Sequence, residues 1–142
     1  MVWNEQKQNY VRNEKVIDYL GKKYELKNME DVSRLIFLQA AQGLKYLHEN
    51  DITNRDIKVD NLLCSTTQGK TDEIKIADFT TVRYSKDDIS YFTSGTPGFR
   101  GPEHQSASSD GYSCKAGDIW SLGISLYTFY MEYFPFMGES EI

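Results

Sequence analysis

Ten consecutive residues, N-R-D-I-K-V-D-N-L-L at 54–63, set a carboxylate, an ammonium and a carboxamide within six positions. Asp56 has the group to take the proton from an attacking hydroxyl, and Lys58 the charge to neutralise a phosphoryl group in transit. Asn61 offers an amide oxygen to Mg²⁺, a hard cation that takes oxygen ligands. Asp78 follows the run E-I-K-I-A at 73–77 and supplies a second oxygen donor, placed to bridge phosphate oxygens through the same ion. Taken alone, the 54–63 stretch reads equally as a polar turn. Asp78 and two later segments, G-T-P-G-F-R-G-P-E at 95–103 and D-I-W-S-L-G at 118–123, shift that balance.

These side chains need elements to hold them. Val32, Leu35, Ile36, Ala40, Leu44 and Leu47 recur at the 3–4 spacing of one buried face, which predicts a helix over 30–50. Asn28 or Asp31 can cap its start, and Asn50 can take the left-handed conformation at its end. Residues 7–20 are charged and aromatic, with Val11, Ile17, Tyr19 and Leu20 as helix contacts and Gly21 as a helix end. Leu62-Leu63-Cys64 and the alternating Glu73–Ile76 predict two short strands joined by the turn S-T-T-Q-G-K-T-D. Residues 80–100 read as a long functional loop. Helical character returns near Glu103 and strongly from Lys115 to Met131, where Tyr127, Phe129, Tyr130, Tyr133 and Phe134 read as core aromatics. His48 and His104 lack paired ligand spacing and read as surface or packing residues.

In order and separation, these segments resemble the catalytic domain of eukaryotic protein kinases. The matching pieces are the catalytic loop R-D-I-K-V-D-N-L-L, the D-F of the metal-binding D-F-G, the G-T-P-x-F-x-x-P-E that ends the activation segment, and the D-I-W-S-L-G-I-S-L-Y helix. The resemblance implies an α+β, kinase-like fold: part of the large C-terminal lobe, mainly helical, with a short β-hairpin at the catalytic loop. Residues 1–142 would form one incomplete kinase domain.

The resemblance also implies roles. Asp56 would be the catalytic base and Lys58 the phosphate-neutralising lysine; Asn61 and Asp78 the metal ligands; Leu63 the floor beneath the adenine. Thr96 would bond Asp56 and Lys58 on the substrate platform, which with Lys58 points to Ser/Thr rather than Tyr specificity. Asp118 would brace the catalytic-loop backbone, although a carboxylate in a first helical turn is also favoured by the helix dipole. Arg55 would pair with a phosphate on Ser90, Tyr91, Thr93 or Ser94, with Asp87 and Asp88 as possible constitutive charges. The cofactors implied are ATP and Mg²⁺, and the partner a protein bearing a Ser or Thr hydroxyl. The stretch K-A-G-D-I-W-S-L-G-I-S-L-Y-T-F-Y-M-E-Y-F-P-F-M is similar to the calcium/calmodulin-dependent kinase kinases.

Several letters depart from the family. His-Arg-Asp reads Asn54-Arg55-Asp56, which keeps hydrogen-bonding capacity and loses an aromatic contact. D-F-G reads Asp78-Phe79-Thr80, and threonine resists the positive φ that glycine tolerates. Gly101 replaces an alanine, with little consequence expected. The glycine-rich strand loop, the strand lysine and its helix glutamate do not occur, and neither does the arginine that pairs with Glu103. The resemblance puts them upstream of Met1 and downstream of Ile142. The 142 residues alone should then bind ATP weakly and turn over little. A pseudokinase or scaffold, a small-molecule kinase and an inactive truncated product stay open as rivals, although the 95–103 platform speaks against the small-molecule reading.

Composition narrows the field. With 16 basic and 21 acidic side chains the net charge is −5, the wrong sign for neutralising nucleic-acid phosphates. The imbalance lies in residues 59–142, with six basic and twelve acidic groups. Two cysteines and no apolar leader fit a reduced, intracellular and cytoplasmic protein. Ile119–Phe136 is apolar for about 13 residues before Glu132, short of a membrane span.

Overall fold

The computed structural model describes residues 2–4, 9–11, 13–65, 73–104 and 110–136. Three helices carry the architecture: α1 (Glu14–Lys23), α2 (Met29–Glu49) and α3 (Cys114–Met131). Among the described residues, four two-stranded antiparallel ladders accompany them. β1 (Val2–Asn4) pairs with β2 (Asn9–Val11), β3 (Ile52–Thr53) with β6 (Arg83–Tyr84), β4 (Leu62–Ser65) with β5 (Glu73–Ile76), and β7 (Ile89–Ser90) with β8 (Tyr112–Ser113).

Each helix starts on a side-chain cap. The extended residue Asn13 accepts from Val16 N, Asn28 from Asp31 N at 2.9 Å, and Ser113 from Ala116 N at 3.0 Å. Such caps satisfy amides that the first helical turn leaves without partners. Asn28, not Asp31, therefore starts α2. At the other end Asn50 stays at φ −100°, and the left-handed position falls on Asp51 at φ +58°. Asn50 instead turns its side-chain amide back onto Tyr46 O.

The amino-terminal expectation needs correcting. Residues 9–11 form a strand, the helix begins only after Asn13, and it runs through Gly21 to Lys23. The extended backbone of Asn13 makes that break, and Leu26 N closes onto Gly21 O at 2.9 Å beyond the helix. Leu20 is buried and Ile17 packs on the core, whereas Tyr19 lies at the surface.

The core is assembled from Leu20 of α1, Val32, Ile36 and Phe37 of α2, Ile124 and Phe129 of α3, and Val59 and Phe99 of the intervening loops. Each side chain so buried contributes about 1.5–3 kcal/mol. Phe37 and Phe129 meet in a tilted ring pair at 5.8 Å, and Phe99 meets Phe134 edge-on at 5.0 Å.

The β4–β5 hairpin forms as the alternation predicts, in the register Leu62↔Ile76 and Cys64↔Ile74. Its inner face lies on α2, where Gln39 accepts from Ile74 N at 2.8 Å. The expected turn between the strands lies outside the described residues. The 80–100 segment is more ordered than a loop, because β6 and β7 tie it to β3 and β8. Near Glu103 the helical character amounts to a short 3₁₀ turn, Pro102–His104. Tyr130 and Tyr133 are exposed rather than core, and Tyr127 is half-buried. α3 is apolar on more faces than α2 and the hairpin can cover. Among the described residues no helix is long and apolar enough to cross a membrane.

Candidate active site

Asp118 sits in the first turns of α3 with 1% of its surface exposed. Its Oδ2 accepts from Asn54 N at 2.9 Å and its Oδ1 from Arg55 N at 2.7 Å. His48 Nε2, from the last turn of α2, lies 2.9 Å from the same Oδ2. One carboxylate thus joins the end of α2, the start of α3 and the loop between β3 and the Val59–Asn61 turn. The bracing role expected of Asp118 corresponds to these contacts. His48 packs here as a hydrogen-bond partner of Asp118, its side chain 14% exposed.

The braced loop takes a conformation that needs bracing. Arg55 has φ +70°, a region costly for a side chain with a Cβ. Gly95, at φ +88°, passes so close that a Cβ there would stand 2.6 Å from Arg55 O, so only glycine fits. This approach delivers Thr96 to Asp56. Asp56 Oδ1 accepts from Thr96 N at 2.8 Å and from Thr96 Oγ1 at 2.6 Å. Lys58 Nζ donates to Thr96 Oγ1 at 2.9 Å and lies 3.2 Å from Asp56 Oδ2. Asp56, Lys58 and Thr96 therefore form one closed triangle across 40 residues of chain.

Asn61 is buried, and its Nδ2 donates to Asp56 O at 3.1 Å. That bond turns the amide nitrogen toward the loop, so a cation would meet Asn61 through its side-chain oxygen. Ala77 N donates to Asn61 O at 2.8 Å, which draws the residue preceding Asp78 against Asn61. Asp78 is exposed at φ +61°, and Asn54 Nδ2 donates to its carbonyl at 3.1 Å. Its Oδ1 accepts from Thr80 Oγ1 at 2.6 Å and Thr80 N at 3.1 Å. The threonine hydroxyl, and then the amide, hold the Asp78 carboxyl below the usual carboxylate range. Two oxygen donors, Asn61 and Asp78, fit a cation such as Mg²⁺ that takes few protein ligands and completes its shell with water and phosphate. Among the described residues no cluster of three or more His, Cys, Asp or Glu is placed to hold a metal.

The remaining predicted residues fall in two places. Leu63 points away from the core on the outer face of the hairpin, 54% exposed. Arg55 Nε is buried without a hydrogen-bond partner among the described residues, beside Ser94, Gly95, Arg100 and His104. Of the candidate phosphate acceptors, Ser90 is buried with its hydroxyl on the Phe92 backbone, and Tyr91 and Thr93 are exposed. Asp88 is tied to the start of α3. Its Oδ1 accepts from Lys115 N at 2.8 Å and its Oδ2 from Ser113 Oγ at 2.5 Å, so it caps α3.

Residues 54 and 80 held more than their letters suggested. Asn54 is completely buried, and besides its bonds to Asp118 and Asp78 its Oδ1 accepts from Asp56 N at 3.0 Å. Thr81 Oγ1 donates to its carbonyl at 2.8 Å. The left-handed residue of the 78–80 segment is Asp78, so Thr80 meets no φ conflict. His104 is nearly buried and stacks on Tyr112 at 4.2 Å. Burial lowers its pKa, against an opposing pull from Glu103.

Residues 7–142 match the model of the protein kinase domain. The chain is 38% identical over 111 residues to the ovarian-specific serine/threonine-protein kinase Lok of Drosophila melanogaster, covering 78% of this chain and 23% of Lok. It is 36% identical over 113 residues to the serine/threonine-protein kinase GRIK2 of Arabidopsis thaliana, covering 78% and 27%. It is also similar to a calcium/calmodulin-dependent protein kinase kinase of Caenorhabditis elegans, with 42% identity over 114 residues, covering 78% and 20%. The match thus takes in only about a quarter of these relatives' length.

Proposed function

This chain belongs to the protein kinase domain family, and from that premise we propose that it carries the phosphoryl-transfer machinery of a Ser/Thr kinase. The observation that supports the reading most is the closed triangle of Asp56, Lys58 and Thr96. Asp56 takes the proton of a substrate Ser or Thr hydroxyl as the hydroxyl oxygen bonds the γ-phosphorus and the bond to the β-bridging oxygen of ATP breaks. Lys58 carries positive charge to the moving phosphoryl group, and Thr96 holds both side chains in one orientation. Asn61 and Asp78 would hold Mg²⁺ through one oxygen each. The ion, when bound, supplies charge neutralisation on the β and γ phosphates.

Leu63 offers an apolar outer surface for the adenine, and the buried Arg55 Nε, without a hydrogen-bond partner among the described residues, fits a phosphate carried by the activation segment, with exposed Tyr91 and Thr93 as candidate acceptors. Residues 1–142 are read as one piece of a kinase large lobe, so ATP is met from one side. A chain with only two cysteines suits a reduced compartment, the cytoplasm, where ATP is supplied. Both departures from the family pattern retain hydrogen bonds to Asp56 or Asp78, which favours an enzyme over a scaffold.

The test is Mg·ATP binding by ligand-observed NMR, with transfer of labelled γ-phosphate to Ser/Thr peptides. Weak binding is expected, reduced about tenfold or more by Asp78→Asn, with any transfer abolished by Asp56→Asn. Binding indifferent to Asp78 and Asn61 replacement would overturn the reading.

A further inference from the structure

Thr80 stands where the D-F-G pattern has glycine. Glycine could supply a backbone N–H to Asp78, but only a hydroxyl residue supplies the additional bond at 2.6 Å. A carboxylate oxygen has two in-plane lone pairs, and at Asp78 Oδ1 the Thr80 hydroxyl and amide take both. Turning the carboxylate about its own side-chain bonds would break both Thr80 bonds, and the backbone that carries it is fixed as well. Asp78 is held at its carbonyl by Asn54 Nδ2 and sits at φ +61°. Oδ2 is the oxygen left to meet a cation.

Coordination chemistry separates cations by what they ask of such a group. Mg²⁺ takes a near-ideal octahedron of single oxygens at about 2.0–2.1 Å, whereas Ca²⁺ takes roughly six to eight oxygens and accepts bidentate carboxylates. We propose that Thr80 is a positioning residue that restricts Asp78 to one-oxygen coordination through Oδ2 and thereby biases the site toward Mg²⁺ over Ca²⁺. The inference rests on the reading of Asp78 as a metal ligand. It adds a selectivity element, outside the ligand set, at a position where glycine would have no side chain to supply it.

The experiment needs no turnover. Mn²⁺ is added to the chain, its binding is read by paramagnetic broadening of the Asn61 and Asp78 amide resonances, and Mg²⁺ and Ca²⁺ are used to displace it. Thr80→Val removes the hydroxyl at constant shape, and because Thr80 is exposed the core is left intact. The displacement ratio should move toward Ca²⁺ by about tenfold, and Thr80→Ser should keep the wild-type ratio. A Thr80→Val protein with the wild-type ratio, or a Thr80→Ser protein that shifts with it, overturns the proposal. Asp78→Asn separates the two levels. If it removes the broadening while Thr80→Val leaves the ratio unchanged, only the selectivity inference fails. If broadening survives Asp78→Asn, the metal-ligand reading fails and takes this inference with it.

Discussion

The two ends of α3 meet their surroundings by opposite physics. In its first turns Asp118 is buried and satisfied by the two consecutive amides of residues 54 and 55 and by the His48 imidazole. Toward its carboxy-terminal half, Leu126, Tyr130 and Met131 lie exposed beside Leu38 of α2 and line an apolar groove with Phe37 and Tyr127. Hydrogen bonds are directional and their loss in a buried place is costly, so the first region admits one geometry. Apolar contact is non-directional, so the second tolerates change. Chemistry sits where the geometry is unique.

Substitutions can break or sharpen that contrast. The largest effect is expected at Asp118→Ala, which leaves the Asn54 and Arg55 amides buried without their acceptor. Urea denaturation should show a loss of about 3 kcal/mol, and a midpoint within error of wild type would dissolve the contrast. A smaller, pH-dependent effect is expected at His104, which borders the same region. Burial is the main cause of its lowered pKa; Arg100 and Arg55 push the same way and Glu103 opposes. With the folded pKa below the unfolded value of about 6.5, the unfolded chain binds the proton more readily. This contribution is full above that value and is lost as pH falls through the folded pKa. Denaturation midpoints of wild type should therefore fall more steeply below pH 6.5 than those of His104→Phe, which keeps a ring against Tyr112; parallel curves would rule this out. The smallest effect is expected at Leu38→Lys, 60% exposed on the apolar groove. Its stability should stay within about 0.5 kcal/mol of wild type, and a loss several times larger would show that the groove is under directional constraint after all.

The contrast also explains what could be read before any coordinates. α2, α3 and the β4–β5 hairpin follow from apolar periodicity, which sums over many residues. Asp56, Lys58, Asn61, Asp78 and Thr96 were legible as letters in a motif, and the structure brings Thr96 to Asp56 and Lys58. Two-residue ladders such as β3–β6 and β7–β8 carry too few side chains to leave a pattern. The left-handed positions of Asp51 and Asp78 were not legible, because the nearby residues Asn50 and Thr80 carry the stronger signals by type. Asn54 looked like a lost imidazole. Its bonds to Asp56, Asp78 and Asp118 depend on tertiary placement that no local spacing encodes. Tyr130 and Tyr133 went wrong in the other direction, since aromatic type indicates that burial is favourable but not that a neighbour is present to provide it.

The bonds from Asp118 to residues 54 and 55 reach back 64 and 63 positions along the chain. Contacts of such separation pay a large loop-closure entropy and form late, after local helices and hairpins. During synthesis every letter of the 54–63 loop emerges well before the carboxylate that shapes it. A nascent chain halted short of residue 118 would carry Asp56, Lys58, Asn61, Asp78 and Thr96 in full, with their order in sequence complete and the brace for their arrangement in space not yet made.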